Sequence, residues 1–337
     1  MNDIEKEEFY CPCREIDPEQ FISNEEVKWL IENQDKYTFT QDDYYRVYNC
    51  IHCNDCGTSE DRFLLKRKFL DDGGIIPGLK DTIDALLTHG TPFIKNKSRV
   101  RIPEGIPKTS KTLLYLGCFT SVKTPIYAEN LITYLLNKGI DFTFLEQETC
   151  CGYPILCNGA IDTYNELVEK NKEIFKDHGF TRIITVCPSC YMVFKKEYSE
   201  IVNIDVKYFT EYLSPAEIKK SGNLIIQHAC PLRNGEIPGI VEKLEKLFSQ
   251  SGYNVLEEVP NRCCGGGIGH QLRTDIIDAI ALKRMEDFLE NSGHFGEIDD
   301  DNNFITTYCP DAYWILKVYG RKKKIPFKLK DMCELLE

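Results

Sequence analysis

Sixteen cysteines are the feature that most constrains this chain of 337 residues. A secreted disulfide scaffold is usually short, whereas this chain is long, and 42% of its residues are hydrophobic. The first residues, MNDIEKEEFY, are acidic and show no apolar signal segment, so we expect a cytoplasmic protein whose thiols are reduced. Clustered cysteines in a reducing compartment most often bind metal or carry out redox chemistry.

The charge and hydropathy of the chain exclude two classes of function. The net charge of −12 argues against a nucleic-acid-binding protein, which would carry a basic stripe. No segment approaches the roughly 20 consecutive apolar residues that a transmembrane helix needs. We therefore expect no nucleic-acid partner and no direct membrane insertion.

The cysteines fall into three groups along the chain. A basic stretch at residues 95–111 separates the first group from the second; it contains two prolines and has no apolar periodicity. It predicts a domain boundary near residue 110. The groups are Cys11, Cys13, Cys50, Cys53 and Cys56; Cys118, Cys150, Cys151, Cys157, Cys187 and Cys190; and Cys230, Cys263, Cys264 and Cys309, with Cys333 alone near the end.

The sequence after this boundary is an internal repeat, which predicts one domain at 111–221 and a second at 222–337. TLLYLGCFT matches NLIIQHACP, and ITVCPSCYMVFK matches ITTYCPDAYWILK. Each unit reads strand, helix, strand, Cys-Cys-Gly turn, helix, strand, Cys-Pro turn, helix and strand. This alternation predicts an α/β fold with two parallel sheets, whose strands carry the cysteines at their carboxyl ends.

The first repeat offers five thiols in a regular pattern. Between Cys118 and Cys150 lie 31 residues, and between Cys151 and Cys187 lie 35, followed by Pro188, Ser189 and Cys190. A cubane [4Fe–4S] cluster takes four thiolates, so a fifth suggests a bridging sulfur or an opened cluster. Cys157 lies outside this pattern, and we interpret both it and Cys333 as packed thiols.

This spacing resembles the cysteine-rich CCG domain found in heterodisulfide reductases of the B/D type, whose relatives include iron–sulfur subunits of glycolate and lactate oxidoreductases. The resemblance implies a noncubane [4Fe–4S] cluster bound by the five cysteines. It also implies an oxidoreductase subunit in an anaerobic complex with flavoprotein or other iron–sulfur subunits. We expect it to move electrons to the noncubane site, which would reduce a disulfide such as a heterodisulfide; the alternative is a non-catalytic relay.

The second repeat departs from the pattern. Cys230, Cys263, Cys264 and Cys309 remain, but the fifth cysteine is replaced by Ala312. Four thiols suit zinc, a cubane, or a modified noncubane cluster completed by Asp311 or water, and an empty thiol pocket is a further alternative. We therefore expect about eight irons per chain, from two four-iron clusters elsewhere.

Two histidines near these cysteines each have two interpretations. His270 ends the glycine-rich segment GGGIGH and is a candidate proton donor to a leaving thiolate, with local packing as the alternative. His228, two residues before Cys230, has the same two interpretations.

The segment CIHCNDCG places Cys50, Cys53 and Cys56 around one predicted cluster. Glu60 stands where a ferredoxin-type motif has its fourth cysteine, so Cys13 or Cys11 is the expected fourth ligand. A cubane [4Fe–4S] cluster is favoured over zinc, a [3Fe–4S] cluster or no metal, and His52 is expected to point outward. Residues 1–110 resemble the small helical ferredoxin-like domain that precedes CCG domains.

Overall fold

The computed structural model describes residues 10–336 except 58, 94–97, 199–203, 217–221, 258, 268–272 and 296–301. The candidate proton donor His270 and most of the acidic segment HFGEIDDDN lie outside the described residues. In the described ranges, no helix combines the length and the apolar character that a membrane crossing requires.

The N-terminal region is helical, as predicted. Ser23 caps the second helix by accepting a hydrogen bond from the Glu26 N–H at 3.1 Å, and Gly90 ends the fifth helix. Leu65 and Phe69 of the fourth helix are buried in a small separate core. The helices are α1 Pro12–Ile16, α2 Asn24–Glu32, α3 Tyr44–Val47, α4 Ser59–Asp71 and α5 Leu79–His89.

The first repeat forms a three-stranded parallel sheet with its strands in sequence order. Leu113 of the first strand pairs with Ile183 of the second, and Ile183 pairs with Val206 of the third. The elements of this repeat are β1 Thr112–Tyr115, α6 Cys118–Lys123, α7 Pro125–Asn137, α8 Tyr153–Leu156, α9 Ile161–Asp177, β2 Arg182–Thr185, α10 Pro188–Glu197 and β3 Asp205–Tyr208.

The second repeat forms a four-stranded parallel sheet. Its elements are β4 Gly222–Gln227, α11 Ile240–Gln250, β5 Tyr253–Val255, α12 Thr274–Glu290, β6 Asn303–Thr307, α13 Pro310–Lys323, β7 Lys328–Leu329 and α14 Met332–Leu336. The strand order is β5-β4-β6-β7. Ile225 of β4 pairs with Ile305 of β6 at the centre of the sheet.

The two sheets confirm the predicted α/β fold with two parallel repeats, with one difference in the first repeat. The strand expected before Cys150 is reduced to a single bridge between Leu113 and Thr143. Its counterpart β5 makes three pairs with β4. Beyond this bridge, the N–H groups of Leu116 and Gly117 donate to the Glu148 carboxylate.

The two repeats share a hydrophobic core, and the second repeat has a further core on its other side. Buried residues from both sheets belong to the same packed cluster. The Tyr127 hydroxyl donates to the carbonyl of Thr307 at 3.0 Å. The Tyr208 hydroxyl lies within hydrogen-bond distance of the carbonyls of both Val186 and Tyr308. These bonds join the carboxyl ends of β2 and β6, where the predicted metal-binding cysteines lie.

Candidate metal centres

The five patterned cysteines of the first repeat meet at one edge of the sheet. Cys118 begins α6 just after β1, and Cys187 is the N-cap of α10 just after β2. Cys150 and Cys151 enter from the loop before α8, and Cys190 lies in the first turn of α10. All five are buried, with exposed fractions of 2–5%, and none forms a disulfide.

Sulfur-to-sulfur contacts connect this first-repeat group. The Sγ atoms of Cys118 and Cys150 are 3.5 Å apart. Cys151 forms hydrogen bonds with Cys150 and Cys190, and Cys190 also bonds Cys187. The hydrogen bonds with Cys118 and Cys151 lower the pKa of the Cys150 thiol well below its ordinary value.

Gly152 makes the turn that brings Cys150 and Cys151 into the same group. Its φ of +92° lies in the left-handed region, and a Cβ at this position would lie 2.8 Å from the Cδ2 atom of Tyr164. Gly265, with φ of +82°, has the same position in the second repeat. The glycine of the Cys-Cys-Gly turn thus has a backbone conformation that side chains with a Cβ rarely adopt.

Replacing Gly152 with alanine should destabilise the protein more than the matched replacement of Gly139. Gly139 also has a positive φ, but a Cβ there meets no atom within 4 Å. Gly139→Ala should cost roughly 1–2 kcal/mol from backbone strain, and Gly152→Ala about 1–3 kcal/mol more from the clash with Tyr164. Anaerobic thermal unfolding measures the difference; equal transition midpoints would contradict this role of Gly152.

Glu148 is a structural residue that the sequence pattern did not reveal. Its carboxylate accepts the Leu116 N–H at 2.8 Å and the Gly117 N–H at 2.7 Å, which fixes the chain just before Cys118. Burial raises the pKa of Glu148 to about 8, although these two N–H groups oppose the shift. The sequence gives only a weak signal for this role, because an acidic residue two positions before a Cys-Cys pair forms no distinctive motif.

The four cysteines of the second repeat occupy the corresponding edge of the second sheet. Cys230 is hydrogen-bonded to Cys263. The Gly265 N–H donates to the Cys263 Sγ at 3.4 Å, and the Gly266 N–H donates to the Cys264 Sγ at 3.3 Å. Cys309 is the N-cap of α13, as Cys187 is of α10.

The N-terminal cysteines gather beside a buried arginine. Cys11 and Cys13, at the start of α1, have exposed fractions of 6% and 2%. The hydrogen bond from Cys13 lowers the pKa of Cys11 to about 7. The Arg62 guanidinium interacts with Cys11, Cys50 and Cys56, and positive charge there favours thiolates.

The prediction that His52 points outward is wrong. Its side chain is 4% exposed, and its ring stacks on Phe63 with centroids 4.4 Å apart. The Nε2 atom lies 2.6 Å from the Nζ of Lys66, which is itself fully buried and donates to the Cys157 carbonyl at 2.9 Å. The backbone of His52 has a φ of +51°, which turns the ring inward between the N-terminal region and the first repeat.

The remaining thiols and His228 are buried outside the first-repeat group. Cys157 forms a hydrogen bond with Tyr153 and faces Lys66, and Cys333 lies in α14 with 2% exposure. Both thiols are thus packed among other side chains, away from the five-thiol group. His228 Nδ1 lies 3.3 Å from the Tyr308 hydroxyl, and burial lowers its pKa.

A cavity of about 40 Å³, the central cavity, lies where the two repeats and the N-terminal loop meet. The two Cys-Pro turns face each other here, and the thiols of Cys187 and Cys309 interact electrostatically. Burial raises the pKa of Asp311, at the edge of this cavity, to about 7. The polar and sulfur-bearing residues that line the cavity are His52, Cys53, Tyr153, Ser189, His228, Cys230, Cys264, Cys309 and Asp311.

The donor sets fit iron–sulfur clusters. Groups of four or five free thiols, most of them buried, provide the ligands that such clusters take. In the second repeat, N–H groups directed at sulfur provide hydrogen bonds as well. Among the described residues, no group of three or more His, Cys, Asp or Glu side chains is arranged to hold a single metal ion.

Three proteins of known sequence illustrate what the chain is similar to. It is 28% identical to a fumarate reductase (CoM/CoB) subunit of Methanothermobacter marburgensis, over 52% of this chain and 37% of that protein. It is 30% identical to the EtfAB:quinone oxidoreductase of Syntrophomonas wolfei, over 53% of this chain and 28% of that protein. It is 25% identical to an iron–sulfur protein of Methanococcus maripaludis, over 70% of this chain and 48% of that protein. The chain thus spans less than half the length of each.

A family model supports the internal repeat directly. The model described as the CCG cysteine-rich domain matches residues 112–195 and again residues 224–317. These two matches contain all the patterned cysteines of both repeats and together cover more than half of the chain. The chain therefore belongs to the CCG cysteine-rich domain family.

Proposed function

We propose that this chain is an iron–sulfur subunit of an anaerobic redox complex and moves electrons to a noncubane [4Fe–4S] site that reduces a disulfide, such as a heterodisulfide. The observation that carries the proposal is the group of five buried, mutually contacting free thiols at one sheet edge. Bound there, a cluster would supply one-electron transfer. Its proposed ligands are Cys118, Cys150, Cys151, Cys187 and Cys190.

The surroundings of the central cavity support thiol chemistry. Reduction of R–S–S–R′ consumes two electrons and two protons and yields RSH and R′SH. The cavity adjoins both Cys-Pro turns and is lined by Ser189, His228 and Asp311, which provide hydrogen-bonding and proton-carrying groups. The proposed electron donor is a flavoprotein or another iron–sulfur subunit, in line with the names of the relatives.

A non-catalytic relay between a flavoprotein dehydrogenase and its acceptor is the second candidate. It is favoured by the size of the central cavity, since about 40 Å³ is far smaller than the space that a substrate-sized disulfide fills. In that case the chain's residues would hold and insulate the clusters, and the acceptor would bind to another subunit.

The two candidates make different predictions for the anaerobically purified protein with reduced methyl viologen. If the chain reduces disulfides, adding a mixed disulfide of two small thiols should oxidise two equivalents of dye per disulfide and release both thiols. If it is a relay, the disulfide should leave the dye reduced, whereas a quinone or an oxidised flavoprotein should accept electrons. Release of thiols by a Cys151→Ser variant at the rate of the unaltered protein would contradict the disulfide-reducing proposal.

A further inference from the structure

The N-terminal cysteine loop is anchored to the second repeat. Arg233 Nη2 donates to Asp55 Oδ1 at 2.5 Å, and both side chains are only 10% exposed. Asn234 donates to the carbonyl of Cys53 at 3.1 Å and also to Asp55. Arg233 and Asn234 follow Cys230 by three and four residues. This buried charged anchor therefore holds the middle of the loop next to a second-repeat cysteine.

The anchor places the Cys53 side chain among the second-repeat thiols. Cys53 packs against a buried cluster that contains Cys230 and Cys263 of the second repeat together with Cys11 and Cys13 of the N-terminal region. Its thiol is hydrogen-bonded to Cys263. It also lines the central cavity together with Cys230, Cys264 and Cys309. Five thiols from two parts of the chain thus converge at the second sheet edge.

Cys53 lines the same cavity as the position at which the second repeat lacks a thiol. In the first repeat the fifth thiol is Cys190, in the first turn of α10. The equivalent residue in α13 is Ala312, which is buried and lines the same cavity as Cys53. A methyl group cannot bind iron, whereas a thiol entering from the N-terminal loop can.

The N-terminal site groups four thiols besides Cys53. The Arg62 guanidinium interacts with Cys11, Cys50 and Cys56. Cys13 is hydrogen-bonded to Cys11 and interacts with both Cys50 and Cys53. These four thiols are the number that a cubane [4Fe–4S] cluster takes. Both Cys11 and Cys13 are then ligands, rather than one of the two.

We propose that Cys53 is a ligand of an iron–sulfur cluster in the second repeat, together with Cys230, Cys263, Cys264 and Cys309, and does not ligate the N-terminal cubane. The proposal rests on the proposed function, in that the thiol groups hold clusters. It changes the expected content from about eight irons per chain to about twelve, in three four-iron clusters. It also makes the N-terminal region part of the second-repeat site.

Two serine variants in the same loop test this assignment. Cys56→Ser should abolish the EPR and Mössbauer signals of the N-terminal cubane and thereby identify them. Cys53→Ser should keep those signals and instead lose the third set of irons, so that iron falls from about twelve to about eight per chain. Both variants are read by iron content and spectra of the purified protein, independently of activity.

A compensating cysteine at position 312 tests whether the iron lost in Cys53→Ser reflects a missing ligand or a general loss of structure. Adding Ala312→Cys to the Cys53→Ser variant restores a thiol at the position that Cys190 has in the first repeat, and should bring iron back to about twelve. The same addition to Cys56→Ser should restore nothing, because that variant lacks a ligand of a different site.

Several results would overturn the assignment. They are loss of the N-terminal cubane signals in Cys53→Ser, no recovery on adding Ala312→Cys, and an unaltered protein with about eight irons and zinc or no metal in the second repeat. Each of these leaves iron in the protein, so the proposed function would survive. Unaltered protein that contains no iron would instead contradict the proposed function itself.

Discussion

Cys151→Ser should remove about four irons per chain and abolish the signal of the first-repeat cluster. Cys151 is 2% exposed and hydrogen-bonded to both Cys150 and Cys190, so it lies in the middle of the five-thiol group. A serine oxygen is a poorer ligand for iron than a thiolate. Anaerobic iron analysis with EPR spectroscopy measures the loss, which should be close to complete at this site.

Cys157→Ser is the matched control for this variant. Cys157 is also buried and lies only six residues further along the chain, but its thiol bonds Tyr153 and faces Lys66. This variant should keep its full iron content and its spectrum. If Cys157→Ser loses the cluster and Cys151→Ser retains it, the proposed ligand set of the first repeat is wrong.

The double variant Cys11→Ser and Cys13→Ser should remove the N-terminal cubane, again about four irons per chain. Both thiols are buried at the start of α1 and bonded to each other, so replacing both leaves that site with at most three cysteines. Low-temperature EPR of the dithionite-reduced protein reports this cluster.

Cys333→Ser controls for the loss of a buried thiol. It lies in α14, where its backbone N–H is bonded to Asp331, and it should retain all iron. An N-terminal signal of full intensity in the double variant would show that neither Cys11 nor Cys13 binds that cluster.

Much of the fold follows from patterns that are local in sequence. The match of TLLYLGCFT with NLIIQHACP predicted β1 and β4, and both form the expected parallel pairs. The positions of Cys118 and Cys187 after buried strands predicted that they meet, because the ends of neighbouring parallel strands lie side by side. The convergence of the first-repeat cysteines therefore needed only strand order and spacing.

The contacts that the sequence did not reveal are those between distant parts of the chain. The His52 ring turns inward, where it contacts the Lys66 ammonium and stacks on Phe63. No local sequence pattern specifies those partners. Cys53 fits the Cys-x-x-Cys-x-x-Cys spacing of the N-terminal motif, yet Arg233 and Asn234 hold its loop against the second repeat. The two hydrogen bonds that do so span 178 and 181 residues of the chain, a separation at which spacing carries no signal.

Anaerobic analysis of iron, zinc and acid-labile sulfide in the purified protein tests the central claim most directly. If the buried thiol groups hold [4Fe–4S] clusters, the protein should be brown and contain iron and sulfide in nearly equal amounts, at least about eight of each per chain. A colourless protein that carries zinc and no sulfide would contradict this account.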